Sequence, residues 1–300
     1  MRGDVLTDKP LATPGIDFAG RWLDLSGPRV MGILNVTPDS FSDGGALNLP
    51  DISQFRISLD RAIAAAGQMV DAGASVIDVG GESTRPGAPP VSVQEELDRV
   101  IPVVEAIRQR FDVLISVDTS APAVITQASS AGAGMVNDIR ALRRPGALEA
   151  VAATRMALCL MHMQGDPATM QNQPHYSDVV VDVTGFLQQR VADCVAAGIA
   201  ANRICIDPGF GFGKTQLHNY QLLARLAQCM APGFPLLVGL SRKSMIGSVL
   251  GKPVDQRVAG SVAAAVLAAV AGARIIRVHD VADTVDAMKV VSAMMEAGSQ

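Results

Sequence analysis

The sequence predicts an α/β fold, a (β/α)8 barrel preceded by a short N-terminal hairpin. Three observations carry that expectation. Apolar runs of strand length alternate with helix-period segments, as in a parallel sheet with right-handed crossovers. Eight such runs occur, and each ends in a polar residue. The turn after the first barrel run lacks the Gly-x-Gly-x-x-Gly pattern of a doubly wound open sheet, the alternative architecture. Polar groups gathered at the carboxyl ends of parallel barrel strands mark an active site.

In chain order, residues 1 to about 15, with Asp4, Asp8, Pro10 and Pro14, read as a flexible tail. Residues 16–300 read as a single domain with a core at about 28–290. Residues 18–25, with a turn at Ala19-Gly20, predict a hairpin beneath the barrel floor. The first barrel strand, 30–34, hands over at Asn35 to a polar loop containing Thr37, Pro38, Asp39, Ser40 and Phe41. The second, 75–79, leads into Gly80-Gly81-Glu82-Ser83-Thr84-Arg85-Pro86. Strands at 113–117, 135–136 and 157–161 exit at Asp118, Asn137 and His162. Those at 204–206, 236–240 and 274–276 exit at Asp207, at Ser241-Arg242-Lys243 and at Arg277-Val278-His279-Asp280. Helical patterns fall at about 57–72, 93–109, 121–131, 146–153, 179–197, 216–229, 256–271 and 283–295. Gly73, Gly132, Gly198 and Gly272 stand where a helix C-terminus favours left-handed backbone. Three long connections, at 37–56, 80–91 and 163–178, are expected to act as lids or substrate clamps.

Length alone would allow two domains, but barrels of this type run to about 250 residues as one. A content of 49% hydrophobic and only 4% aromatic residues suits an interior of Val, Ile, Leu and Ala. The net charge of −4 argues against nucleic acid or an anionic membrane as partner, since phosphate contact needs clustered cations. The most apolar stretch, 261–272, is well short of the roughly 20 residues of a membrane span. The first 26 residues lack the apolar segment of a signal peptide. Cys159, Cys194, Cys205 and Cys229 show no Cys-x-x-Cys spacing and read as reduced thiols of a cytoplasmic protein.

Barrel closure would bring Asp118, Asn137, Asp207 and Lys243 to one funnel. Singly, each could instead sit in a barrel-top ion pair or cap the next helix, as Asp118 could before Ala121. Together, two carboxylates, a carboxamide and an ammonium suit a flat heterocycle with a mixed donor and acceptor edge. Arg85, Arg277 and His279 form a cationic group suited to phosphate oxygens. Asn35 is a neutral oxygen donor that, with a bound diphosphate, could complete the shell of Mg²⁺. Alternatively, Arg277 pairs with Asp280 or Asp283 at the surface. The stretch 207–215 is not a Walker A loop, because Gly213-Lys214-Thr215 would require Gly where Pro208 stands. It reads as a Gly-rich strand exit that brings backbone and Phe212 close to a planar ligand. His162, His175, His218 and His279 have no paired spacing, so zinc is not expected. No Ser or Cys carries a nucleophile signature.

The run Met31-Gly32-Ile33-Leu34-Asn35-Val36-Thr37-Pro38-Asp39-Ser40-Phe41-Ser42-Asp43-Gly44-Gly45 closely resembles the first signature of dihydropteroate synthases. Gly80-Gly81-Glu82-Ser83-Thr84-Arg85-Pro86-Gly87 resembles the second. The motifs around Asp118, Asn137, His162, Asp207–Lys214, Ser241–Lys243 and Arg277–Asp280 complete the set in the family's order. The resemblance covers about residues 28–290. It implies a TIM barrel that joins 6-hydroxymethyl-7,8-dihydropterin diphosphate to 4-aminobenzoate, giving 7,8-dihydropteroate and diphosphate. By that resemblance Asp118, Asn137, Asp207 and Lys243 hold the pterin. Arg277 and His279 hold the diphosphate with Arg85 close by, Val278 between them counts among the substrate-binding residues, and Asn35 helps place Mg²⁺ as cofactor. Thr84, Pro86, Ser241 and Phe212 border the aminobenzoate pocket, with the loop from Thr37 to Phe41 closing over it. It also implies a homodimer, for which the Ala-rich stretch 262–270 is a candidate face. Corrinoid-dependent methyltransferases share the fold and the pterin logic, but have no diphosphate to occupy Arg277, His279 and Asn35. A catalytically silent paralogue would lack Asn35, Arg85 or Arg277, and all three are present.

Overall fold

Strand β1 (Gly15–Phe18) pairs antiparallel with β2 (Arg21–Asp24), so the expected hairpin forms. The computed structural model describes residues 14–37, 52–82, 91–167, 169–229 and 233–298, with backbone only for 52–58. The hairpin starts three residues before the predicted 18, and Gly15 belongs to it rather than to the tail. The reason is burial: Ile16 joins Phe18, Leu23 and Leu25 in one apolar cluster. That cluster also contains Met31, Val76, Leu114, Met135, Ala157, Cys159, Cys205, Leu237 and Ile275, so every barrel strand described next contributes to it. The hairpin is therefore the floor of the barrel. Trp22 lies on its outer side, 45% exposed. Its indole lies so close over Gly15 that a Cβ there would sit 2.4 Å from the ring.

The barrel strands are β3 (Arg29–Asn35), β4 (Val76–Gly80), β5 (Leu114–Asp118) and β6 (Met135–Asp138). They continue as β7 (Ala157–Met161), β8 (Ile204–Asp207), β9 (Leu237–Val238) and β10 (Ile275–Val278). All pair in parallel in the order β8-β7-β6-β5-β4-β3-β10-β9, and a parallel bridge from Ile206 to Leu236 closes the ring. The (β/α)8 expectation is met.

The helices are α1 (Ile52–Asp71), α2 (Val93–Arg110), α3 (Pro122–Ala131), α4 (Ala147–Ala152) and α5 (Val179–Ala196). They continue as α6 (Gln216–Ala224), α7 (Ser244–Leu250), α8 (Val258–Val270) and α9 (Val281–Ala297). Local chemistry starts several of them. Ser92 and Glu95 form a capping box on α2, and the Asp178 carboxylate caps two N–H groups of α5, each cap being worth about 1 kcal/mol. The glycines at 73, 132, 198 and 272 all take positive φ, as expected.

Three helix expectations are corrected. Helix α1 begins five residues before 57. The pattern at 216–229 divides into α6 and a separate 3-10 turn, Leu226–Cys229. Helix α7 was not foreseen: at seven residues with Gly247 inside, it is too short to show a period.

Side chains alternate along each strand. Ile77, Val79, Val117, Val136, Leu158 and Ile204 point outward against helix residues such as Val100, Val104, Val124 and Val183. Each fully buried aliphatic side chain of this layer contributes about 1.5–3 kcal/mol. Inside the barrel the composition changes with height. Above the apolar floor the pairing registers place Asp78 beside Ser116, and Asp118 between Gly80 and Asn137. The polar interior is thus a property of strand parity.

Candidate active site

A single row of paired residues crosses four strands at the barrel mouth: Asn35 beside Gly80, Gly80 beside Asp118, Asp118 beside Asn137. Gly80 supplies space here. A Cβ at that position would lie 3.5 Å from the Asp118 Cβ and 3.7 Å from Asn35 Oδ1, filling the gap between the two polar side chains.

Arg277 reaches into this row from β10. Its Nε donates to Asp78 Oδ2 at 2.6 Å, and its Nη2 donates to Asp118 Oδ2 at 2.8 Å. Asn137 Nδ2 donates to the same Asp78 oxygen at 3.0 Å. The surface alternative for Arg277 is not realised, because Asp280 pairs with Arg242 instead. Burial alone would lower the Arg277 pKa, but Asp78 and Asp118 outweigh it and hold the guanidinium firmly charged.

Asp118 does not cap α3. Thr119 Oγ1 takes the Ala121 N–H, and Pro122 opens the helix, which leaves the Asp118 carboxyl facing the pocket. Burial pushes its pKa up to about 7; Arg277 opposes the rise while Asp78 and Asp138 add to it. Asp207 is buried and accepts the Gly209 N–H at 2.7 Å. Its carboxyl is likewise raised by burial, with Lys243 opposing. Lys243 donates to the Phe210 carbonyl, and its ammonium stands 4.8 Å over the Phe212 ring. Burial lowers it to about 8, and Asp207 opposes. The four residues expected at the heterocycle edge are brought to one mouth, and Arg277 joins them.

Ser241 and His279 meet at the exits of β9 and β10. The His279 N–H donates to Ser241 Oγ at 3.2 Å, and His279 Nδ1 lies 3.1 Å from the same oxygen. Val278 is the buried last residue of β10. Thr37 follows the end of β3, on the same rim as Asn35. Phe41, Thr84, Arg85 and Pro86 lie outside the described residues.

Two features were not anticipated. Asp78 is fully buried inside the barrel, with Ile77 and Val79 on either side of it in the chain, and it orients both Arg277 and Asn137. A signal was available: a carboxylate inside an apolar strand, two residues before Gly80 and so on the same face. The second is Lys214, buried behind the Gly-rich exit of β8 against His162. Among the described residues, no group of three or more His, Cys, Asp or Glu could hold a metal ion. No described helix is long and apolar enough to cross a membrane.

Residues 31–279 match the pterin binding enzyme family. The chain is 59% identical to the dihydropteroate synthase of Escherichia coli (strain K12) over 278 residues, 93% of this chain and 95% of that protein. Among solved structures, a Yersinia pestis dihydropteroate synthase in a sulfonamide drug complex superposes with a TM-score of 0.85 at 60% identity, covering 92% of this chain and 98% of that one. A Xanthomonas albilineans dihydropteroate synthase with 4-aminobenzoic acid gives 0.86 at 51% identity, covering 95% and 99%. A Burkholderia cenocepacia dihydropteroate synthase complexed with 7,8-dihydropteroate gives 0.85 at 48% identity, covering 96% and 99%. With this match over most of its length, the chain belongs to the pterin-binding enzymes and, within them, to the dihydropteroate synthases, transferases of folate biosynthesis.

Proposed function

We propose that the chain joins 6-hydroxymethyl-7,8-dihydropterin diphosphate to 4-aminobenzoate by expelling diphosphate before the amine attacks. The observation that supports this best is the convergence of Asp118, Asn137, Asp207, Lys243 and Arg277 at one mouth. The 4-aminobenzoic acid and 7,8-dihydropteroate held by the two relatives are the second substrate and the product of this reaction.

Asp207 and Asp118 accept from ring N–H and amino groups, Asn137 pairs with a mixed edge, and Lys243 donates to a carbonyl or ring nitrogen. Arg277 and His279 stabilise charge on the diphosphate as the methylene C–O bond breaks and its electron pair leaves with the oxygen. The methylene cation delocalises into the pterin ring, flanked by Asp118 and Asp207. The amine nitrogen then forms the C–N bond and sheds one proton. An arylamine is neutral near pH 7, so the attack needs no strong protein base; positioning supplies the rate.

Mg²⁺ fits this donor set. Asn35, a neutral oxygen across Gly80 from Asp118, would hold it together with diphosphate oxygens, in keeping with an ion that takes few protein ligands. When bound, it supplies charge neutralisation on the leaving group.

The chain acts in the cytoplasm as a homodimer. The Ala face of α8 (Ala264, Ala265, Ala268, Ala269) is buried within the chain, so that face is not the contact. Exposed Leu267 and Val270 on α8, with Val290 and Met294 on α9, support a neighbouring apolar one. Leu267→Glu should shift sedimentation to monomer; an unchanged dimer places the interface elsewhere.

A turnover assay following diphosphate release tests the reaction. Release should require pterin diphosphate, 4-aminobenzoate and Mg²⁺ together. Release at full rate without the amine would exclude the transfer.

A further inference from the structure

The Gly213-Lys214-Thr215 motif, which is not a Walker A loop, is left without a task by the reaction as described. Lys214 is only 3% exposed, and its ammonium has three close acceptors for its three N–H donors, with the His162 carbonyl a longer fourth at 3.5 Å. The close three are Gly209 O at 2.9 Å, Phe212 O at 3.1 Å and His162 Nδ1 at 2.9 Å. A buried charge satisfied in this way is a designed position rather than an accident of packing.

His162 completes the arrangement. Its backbone N–H continues the β7–β8 ladder by donating to Asp207 O at 2.9 Å, so its backbone is anchored at the strand exit. Phe186 meets its ring edge-on at 5.0 Å. Burial, with Lys214 adding, pulls the imidazole pKa down to about 2. It is neutral, and with Lys214 donating to Nδ1 its proton sits on Nε2. Burial also pulls the Lys214 ammonium down to about 7, with Asp207 opposing.

In the loop between Asp207 and Lys214, the carbonyls from Gly209 to Gly213 are each held by a side chain. Gly209 and Phe212 bond to Lys214, Phe210 to Lys243, Gly211 to Gln171 and Gly213 to Tyr176. Gly209, at φ 71°, crosses so close to the His162 backbone that a Cβ would lie 1.9 Å from its carbonyl oxygen. The Asp207 carboxylate binds the Gly209 N–H, while Lys243 is tethered to Phe210 and stacked over Phe212. Moving the loop would move all three.

We propose that Lys214, with neutral His162 as its acceptor, is a positioning residue for pterin recognition: it fixes the Gly209–Gly213 loop so that Asp207, Phe212 and Lys243 stand at the pterin edge together. The proposal rests on the site reading given under Proposed function. Lys214 touches no substrate and acts through these three groups.

The test uses the full chain and free 6-hydroxymethylpterin as calorimetric probe. Lys214→Met keeps length and burial but removes the donors. Its folded form, checked by circular dichroism and melting, should bind pterin at least tenfold more weakly, with KM for pterin diphosphate rising more than kcat falls. Because Lys214 and Lys243 act through one loop, Lys214→Met and Lys243→Ala combined should lose less than the sum of the two single losses. Pterin affinity within twofold of the unsubstituted chain, or strict additivity, would overturn the proposal whatever the melting shift. If Lys214→Met does not fold, His162→Phe carries the test: it removes one acceptor and should weaken pterin binding at least threefold. Unchanged affinity in His162→Phe would then overturn the proposal. Asp207→Asn separates the two levels. Normal pterin binding in that variant overturns the site reading and this proposal with it, whereas normal binding confined to Lys214→Met overturns the proposal alone.

Discussion

Arg277 Nε and the fully buried Asp78 carboxylate are joined at 2.6 Å across the barrel interior, linking β10 to β4 through a buried charge pair. Asp78 also receives Asn137 Nδ2, so one carboxylate orients the group expected at the diphosphate and one expected at the pterin.

Breaking this pair should be expensive. Arg277→Ala leaves Asp78 and Asp118 buried without their cation, and loss of one partner of a buried pair costs about 3–5 kcal/mol. The melting temperature should fall accordingly. Turnover should drop at least a hundredfold while folded protein still binds free pterin, since diphosphate charge grows only as the bond breaks. Normal turnover at saturating substrate would remove Arg277 from the chemical step.

Asp118 sets a pH dependence with a defined sign. Its folded pKa of about 7 lies above the ordinary 3.8. Between those values the folded state holds a proton that the unfolded state has lost. Stability of the ligand-free chain should therefore decline as pH rises from about 4 to about 7. Asp118→Asn should flatten that slope, as read from urea midpoints across the window. An identical slope in the variant would assign the titration to another group.

Lys243→Ala should weaken pterin binding by roughly 1.5–3 kcal/mol, the range for a charge-assisted hydrogen bond. Because burial brings the ammonium to about 8, affinity should also fall as pH rises through that value, and the variant should lose this limb. Calorimetric affinity unchanged within twofold would release Lys243 from the pterin edge.

Sulfonamides carry the ring and amine of aminobenzoate, with a sulfonyl group in place of the carboxylate. They should compete with aminobenzoate and not with pterin diphosphate. If the pocket completes itself only over bound pterin, drug affinity should rise with pterin and diphosphate present, and the drug should tighten diphosphate retention by the same factor. Steady-state kinetics with each substrate varied in turn decide this; inhibition indifferent to aminobenzoate would place the drug elsewhere.

The barrel was legible because apolar runs of strand length give way to polar residues near each carboxyl end, Asp118, Asn137, Asp207, Lys243 and Arg277 among them, although Asn137 and Arg277 lie within their strands and Lys243 beyond the end of β9. Asp78 escaped because it lies one pleat below the rim, inside an otherwise apolar strand, where only its parity with Gly80 betrays it. Lys214 escaped because its partners are backbone carbonyls and a histidine 52 residues away, contacts that leave no local pattern. Helix α7 was hidden by length. The contributions expected of Phe41, Thr84 and Pro86 rest on the resemblance and that of Arg85 on the sequence reading, since these residues lie outside those described.

The hairpin that seals the barrel has a practical corollary. It carries the only tryptophan of the sequence, at the opposite end of the barrel from the polar mouth. Indole emission therefore offers an intrinsic optical gauge of whether the seal is intact, independent of occupancy at the mouth. Variants that empty the pocket but leave this emission unchanged have lost recognition, and variants that alter both have lost architecture.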